Sequence, residues 1–157
     1  MLLWLISIIC AQCDGVFVMS IGSKGDGPGH FQNPRGLALT PDGLHLLVVD
    51  SGNERVVVLA ASDGAWVRAL TGPARTLREP FGVAVVPSTG HVLVSDVFLH
   101  TVVVFASVTN DTIVRRLGTG SFCVGCTSTP FQGDIFFCYF PHIVYSNRSR
   151  RGSSTVQ

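Results

Sequence analysis

The sequence predicts an all-β fold made of consecutive four-stranded antiparallel sheets, and two observations support this. The first is composition. Of the 157 residues 46% are hydrophobic and only 13% are charged, and valine-rich apolar runs are separated by glycine and proline. β-Branched runs between such breaks are typical of strands and turns rather than helices. The second observation is an internal repeat.

Three blocks of sequence recur at a single offset of 46 residues: 33–39 with 79–85, 47–50 with 93–96, and 56–59 with 102–105. A fixed period of this length is typical of a protein built from repeated supersecondary units. Because all three blocks keep the same offset, the two units are expected to share one structure.

Each unit is predicted to contain four strands. In the first unit the strands are expected at 36–40, 44–49, 55–60 and 65–70, with turn residues such as Pro41-Asp42-Gly43 between them. A four-stranded unit repeated every 40–50 residues is the pattern of a β-propeller blade. Known propellers need at least four blades to close a ring, so the sequence predicts an incomplete β-propeller.

The repeat divides the chain into seven predicted segments. They are the outer strands of a partial preceding blade (1–22), a connector (23–33), a blade (34–72), a second connector (73–79), a second blade (80–120), a degenerate partial blade (121–146) and a disordered Ser/Arg tail (147–157).

The apolar start has a second interpretation as a signal-like segment, because Ala11-Gln12-Cys13 fits a cleavage site. The segment lacks a basic n-region, which favours a cytoplasmic over a secreted protein. No apolar run reaches the eighteen or so residues that a membrane-spanning helix needs.

The first unit resembles the NHL-repeat family. The carrying segments are 34–38, with Pro34 and Gly36, and 48–58, with Asp50, Asn53 and Arg55. They are similar to the family pattern P-x-G-[ILV]-A followed by V-A-D-[ST]-x-N-x-R-[IV]. The flanking glycine-rich linker also resembles the family's connector between blades.

The second unit keeps part of this pattern, namely Pro80, Gly82 and Asp96, but has Leu99 and Thr101 where the family has Asn and Arg. The resemblance covers residues 31–120 and implies structural roles for the matching positions. We expect Asp50, Asn53 and Asp96 to hold tight turns through local bonds of the Asx type. Arg55 is expected to be packed and hydrogen-bonded within its blade.

The sequence carries no catalytic constellation, because no G-x-S-x-G elbow, P-loop or paired catalytic carboxylate is visible. The predicted function is therefore a non-enzymatic protein-interaction or scaffold module, with no cofactor. Its candidate partner-facing residues are the cations of the connectors: Lys24, Arg35, Arg75 and Arg78. The expected partner is a protein, either a second copy of this chain or another chain that supplies missing blades.

Two other functions stay open. Some NHL propellers bind RNA through a basic face, and the connector cations would cluster on one face. The family resemblance also includes a zinc-dependent amidating lyase, and His45 and His91 lie one repeat apart. A zinc site needs several ligands converging from different blades, whereas both histidines follow turns and are expected at blade surfaces.

The cysteines do not change this assessment. The pairs Cys10-x-x-Cys13 and Cys123-x-x-Cys126 are too far apart for a zinc ribbon, and Cys138 is left over. They are interpreted as small hydrophobic residues rather than as a metal site.

Overall fold

The computed structural model describes residues 6–10, 16–74, 76–118, 130–131, 134–139 and 142–147, with side chains for residues 20–74 and 76–118. Apart from the 3₁₀ turn Ser51–Asn53, the regular structure of these residues is β, which confirms the all-β fold class. The strands are β1 (Ile6–Cys10), β2 (Val16–Ile21), β3 (Ser23–Lys24), β4 (His30–Phe31), β5 (Pro34–Leu39), β6 (His45–Asp50), β7 (Arg55–Ala60), β8 (Trp66–Leu70), β9 (Pro80–Val85), β10 (Val92–Asp96), β11 (Thr101–Ser107), β12 (Asn110–Leu117), β13 (Pro130–Phe131), β14 (Asp134–Tyr139) and β15 (His142–Asn147).

Two four-stranded antiparallel sheets form the centre of the described chain. The first blade has the order β5-β6-β7-β8 and the second has the order β9-β10-β11-β12. Each blade follows the chain in sequence, as a meander of neighbouring strands does. The four strands of the first blade lie within two residues of their predicted limits. Strand β5 begins earlier than expected because Pro34 pairs with Asp50 across a bulge.

The flanking segments also form strands. Before the blades, β1 and β2 make an antiparallel pair, and after them β13, β14 and β15 make a three-stranded sheet whose strand β15 lies beside β9. Strand β15 ends at Asn147, the residue with which the predicted tail begins. The rest of that tail, together with Arg75, Cys13, Cys123 and Cys126, lies outside the described residues.

The connector 23–33 is more ordered than the sequence indicated. Strands β3 and β4 pair in parallel within it, with Ser23 opposite His30. Two turns of this loop rest on glycines with positive φ, Gly25 and Gly29. The glycine-rich composition therefore serves a folded loop and not a plain linker.

The core lies between the blades and on their outer faces. Successive residues of a strand point to opposite faces, so a strand buried on both sides reads as a continuous apolar run. The interface between the blades buries Leu47, Val49, Val56, Val58 and Leu70 of the first blade against Val83, Val92, Val94, Val103 and Phe105 of the second. On the other face of the first blade Val48, Val57 and Leu59 pack against Ile21 and Phe31.

The two inner strands, β5 and β9, approach each other at the level of the backbone. A Cβ on Gly36 would lie 2.7 Å from the carbonyl oxygen of Phe81 and 3.0 Å from the Cα of Gly82. Real Cβ atoms essentially never come as close as 2.7 Å to another heavy atom, so only glycine fits this position without a shift of β9.

Candidate functional site

The candidate site is the end of the blades where β5 and β9 begin and β6 and β10 finish. Two connectors, residues 22–33 and 71–79, run over this end, and we call it the connector end. The pairings of Pro34 with Asp50 and of Pro80 with Asp96 bring corresponding positions of the two repeats to it. Most of the residues that the sequence singled out therefore lie here.

Asp50 is the centre of a hydrogen-bond network in the first blade. Its carboxylate is fully buried. Oδ1 accepts a bond of 2.6 Å from the backbone N–H of Gln32, and Oδ2 accepts bonds from Asn53 Nδ2 (2.7 Å) and Arg55 Nε (2.8 Å). A buried carboxylate is tolerated only when it is paired and hydrogen-bonded in this way.

Asn53 and Arg55 extend this network into the connector. The Asn53 amide donates to the carbonyl of Gly25 at 2.9 Å. The Arg55 guanidinium donates to the carbonyls of Asp26 (2.6 Å), Gly27 (3.1 Å) and His30 (2.9 Å). Arg55 is thus packed and hydrogen-bonded, with the folded loop as its acceptor.

The structure gives Asp50 a second role beside its local bond to Asn53. The 3₁₀ turn Ser51–Asn53 that follows Asp50 has no side-chain cap bond, because the carboxylate faces the connector instead. The turn is closed by the backbone, with the N–H of Glu54 donating to the carbonyl of Ser51 and Glu54 in the left-handed region at φ 52°. The motif residues therefore join the connector to the blade, and the bond between Asp50 and Asn53 also spans the turn.

The second blade performs the same task with different residues. Asp96 accepts bonds from the backbone N–H groups of Arg78 (2.7 Å) and Glu79 (3.2 Å) and, through Oδ1, from that of Leu99 (2.9 Å). The connector 71–79 has nine residues against twelve in 22–33. Arg116 of β12 instead donates to the carbonyl of Thr76 at 3.2 Å.

Two of the four predicted partner-facing cations stack on phenylalanine rings. The Arg35 guanidinium lies 4.9 Å from the ring centroid of Phe81, and the Arg78 guanidinium lies 5.5 Å from that of Phe98. Both distances are within the range of a cation–π interaction. Lys24 is exposed on β3, and Arg75 is outside the described residues.

Sequence reasoning missed both phenylalanines. Phe98 occupies the repeat position of Gly52, in a turn of the same geometry, since His100 adopts φ 50° where Glu54 adopts φ 52°. Its ring is 60% exposed. An aromatic residue at the apex of a strand-end turn, where the first repeat has glycine, was the signal that could have identified it.

The two histidines lie at the opposite end of the blades. His45 begins β6 and His91 precedes β10. Beside His45, the Thr40 hydroxyl donates to Asp42 Oδ1 at 2.5 Å and accepts from the His45 backbone at 2.9 Å. Within 20–74 and 76–118, no three His, Cys, Asp or Glu side chains are grouped to hold a metal ion.

The hydrogen bond from Thr40 lowers the pKa of Asp42 below its ordinary value, and a second bond from the backbone N–H of Leu44 acts in the same direction. Both donors favour the charged carboxylate. They close the turn between β5 and β6 far from the connector end.

Comparison with known proteins supports this description. The family model described as NHL repeat matches residues 31–59. Among solved structures, the chain is similar to U3-55K, with 16% identity, a TM-score of 0.58, and coverage of 91% of this chain and 48% of that one. No curated protein matches the sequence.

Two further solved structures are similar to the chain. One is a putative 6-phosphogluconolactonase from Bacteroides uniformis, with 17% identity, a TM-score of 0.58, and coverage of 86% of this chain and 40% of that one. The other is a gluconolactonase from Xanthomonas campestris, with 24% identity, a TM-score of 0.52, and coverage of 73% and 37%. Identities this low show a shared fold alone.

The chain spans less than half the length of each of these structures. Among its described residues, no helix is long and apolar enough to cross a membrane. The repeat match covers the first blade from Phe31 to Leu59, and the neighbouring structures share the antiparallel blade architecture. Residues 31–59 therefore match an NHL repeat, within a chain of consecutive β-propeller blades.

Proposed function

We propose that this chain is a non-enzymatic interaction module that binds a protein partner at its connector end. The observation that carries the proposal is Phe98, an exposed ring stacked beneath the guanidinium of Arg78. Aromatic residues and arginine are enriched at the centres of protein interfaces, where they contribute most of the binding energy. Stacking also restricts the Arg78 side chain before a partner arrives, which lowers the entropy that binding costs.

The charge of this end favours a protein over a nucleic acid. Its described cations that are not buried, Lys24, Arg35, Arg55, Arg78 and Arg116, are interspersed with carboxylates. Those carboxylates are Asp26, Glu54 and Glu79, all of them exposed. A surface that neutralises phosphates needs a predominance of one sign. A mixed surface around an aromatic centre resembles the polar rim of a protein interface.

The polar groups of the connector end support a structural rather than a catalytic role. Asp50, Asn53, Arg55 and Asp96 are bonded to connector backbone or to one another. A catalytic group must reach the reacting atom of a substrate, whereas these groups are committed to holding loops. The lactonase activity of two structural neighbours belongs to those proteins.

A site-specific crosslink tests the proposal. We would replace Phe98 by the photoreactive amino acid p-benzoylphenylalanine in the chain expressed in cells. Trp66, an exposed aromatic residue on the outer strand β8, would be replaced in the same way as the matched control. The expected result is a defined protein adduct from position 98 and none from position 66.

Two outcomes would contradict the proposal. Equal adducts from both positions would indicate contact without specificity. An adduct with RNA from position 98 would replace the protein partner with a nucleic acid.

A further inference from the structure

One face of the first blade is covered at β6 and β7 but bare at β5. Val48 and Val57 on this face are fully buried beneath Ile21 and Phe31. Leu37 lies directly opposite Val48 in the sheet and is 50% exposed, and Leu39, opposite Leu46, is 57% exposed. The apolar surface therefore extends onto β5, beyond the part that Ile21 and Phe31 cover.

The same face of the second blade is better covered. The repeat positions of Leu37 and Leu39 are occupied there by Val83, which is buried, and Val85, which packs against the buried core. The cover is the hairpin β5–β6 of the first blade. Gly36 brings its backbone against β9, while Leu47 and Val49 of β6 fill the space beside it.

We propose that the bare face of Leu37 and Leu39 is the docking site for a β-hairpin supplied by another chain. The repeat places Leu37 and Leu39 on the first blade where Val83 and Val85 lie on the second. The docking hairpin should therefore resemble the hairpin β5–β6, which covers the second blade. Its first strand would carry glycine and alanine at alternate positions, as Gly36 and Ala38 do. Its second strand would carry large aliphatic residues at alternate positions, as Leu47 and Val49 do.

Arg35 restricts the charge that the partner hairpin can carry at its second residue. In the second blade the equivalent residue is Phe81, and Arg35 of the covering hairpin stacks on it. A docking hairpin with arginine at that position would place a second cation beside Arg35, whose guanidinium stacks on Phe81, and like charges repel. Glutamate or aspartate there would form an ion pair, so the partner hairpin is expected to be acidic at its second residue.

A second copy of this chain fits the face less well. The two half-exposed leucines present on the order of 200 Å² of apolar side chain, whereas a stable dimer needs about 800 Å² from each partner. A second copy docking head to tail would have to use the outer face of its own β9, and β15 already lies beside that strand.

A peptide probe tests the proposal with the full chain. The probe is a head-to-tail cyclised peptide of residues 34–50 carrying Arg35→Glu, since its ends are cross-strand neighbours in β5 and β6. Binding is followed by fluorescence anisotropy. The expected result is saturable one-to-one binding that weakens at least tenfold when the chain carries Leu37→Glu and Leu39→Glu. Val67→Glu, an exposed position on β8, should leave binding unchanged.

A second probe separates specific docking from apolar adhesion. A peptide with Gly36→Val should lose binding, because the docking strand must reach backbone contact. Equal binding of the glycine and valine peptides would overturn the proposal, as would binding unaffected by the two leucine substitutions. If sedimentation showed a dimer that the two leucine substitutions dissociate, the face would be assigned to a second copy of the chain. That result would also overturn the proposal. Phe98→Ala should leave peptide binding intact, which separates this proposal from the proposed function.

Discussion

Arg35 lies over the ring of Phe81, and the two residues occupy the same position of successive repeats. The second residue of each inner strand thus contacts its own counterpart in the next blade. The next position repeats this relationship at the backbone, where Gly36 faces Gly82. The residue types at such a repeat position must therefore fit together across the interface, because one blade supplies the covering residue and the next blade supplies the covered one.

Gly36→Ala should destabilise the chain by about 1–3 kcal/mol, because the new Cβ would lie 2.7 Å from the Phe81 carbonyl and neither backbone can yield easily. The measurement is the midpoint of urea unfolding. Gly27→Ala is the matched control, since a Cβ there meets only ordinary contact at 3.5 Å and should cost less than about 1 kcal/mol. Equal effects at the two glycines would remove the close approach of β5 and β9 as the reason for Gly36.

Asp50→Asn should destabilise the chain by about 2–4 kcal/mol, since it leaves Arg55 without its buried counter-charge. Arg55→Met should have a cost of similar size through the carbonyls it no longer satisfies. In a double-mutant cycle measured by denaturant unfolding, the two should couple by about 1–3 kcal/mol. Asp26→Asn, an exposed position in the same loop, is the control and should change stability by less than about 0.5 kcal/mol. Additive effects would show that the network does not act as a unit.

Thr40→Val should raise the pKa of Asp42 towards its ordinary value, because the hydroxyl is the main group that lowers it. A carboxylate with a lowered folded-state pKa stabilises the fold above its unfolded pKa, and this contribution is lost as the pH falls through the folded pKa. The variant should therefore lose less stability between neutral pH and acid. NMR titration of the Asp42 carboxyl measures the shift directly, and Thr40→Ser should preserve the low value. An unchanged titration in Thr40→Val would contradict the assigned cause.

Restoring the family residues in the second blade should bring no gain. Leu99→Asn together with Thr101→Arg recreates the side chains of the first blade, but the connector 71–79 is three residues shorter than the connector 22–33, whose carbonyls accept the bonds there. Thr101 also donates to the carbonyl of Leu117 at 2.9 Å, a bond that the change removes. We expect unchanged or lower stability in thermal unfolding. A gain above about 1 kcal/mol would show that the connector can rearrange to meet the motif.

The repeat and its apolar runs were sufficient to predict the two blades, because burial on both faces leaves a continuous pattern in the sequence. Strand limits deviated where the register shifts, as at Pro34. The bonds of Asp50 could not be predicted, since its acceptor role depends on Gln32, eighteen residues earlier, and on a folded loop that reads as a linker. Phe98 was missed although its repeat position is that of Gly52, because the exposure of its ring depends on the three-dimensional turn.

The network around Asp50 fastens the loop 25–32 to the first blade mainly through polar side chains, with Phe31 as its buried apolar anchor. Such a loop can detach without separating the sheets, so its free energy of opening should be lower than that of the whole chain. Amide protons of the loop would then exchange with solvent earlier than those of β6 and β7. The polar motif of the repeat would thus determine how long one loop stays closed, while the valine runs determine whether the blades form at all.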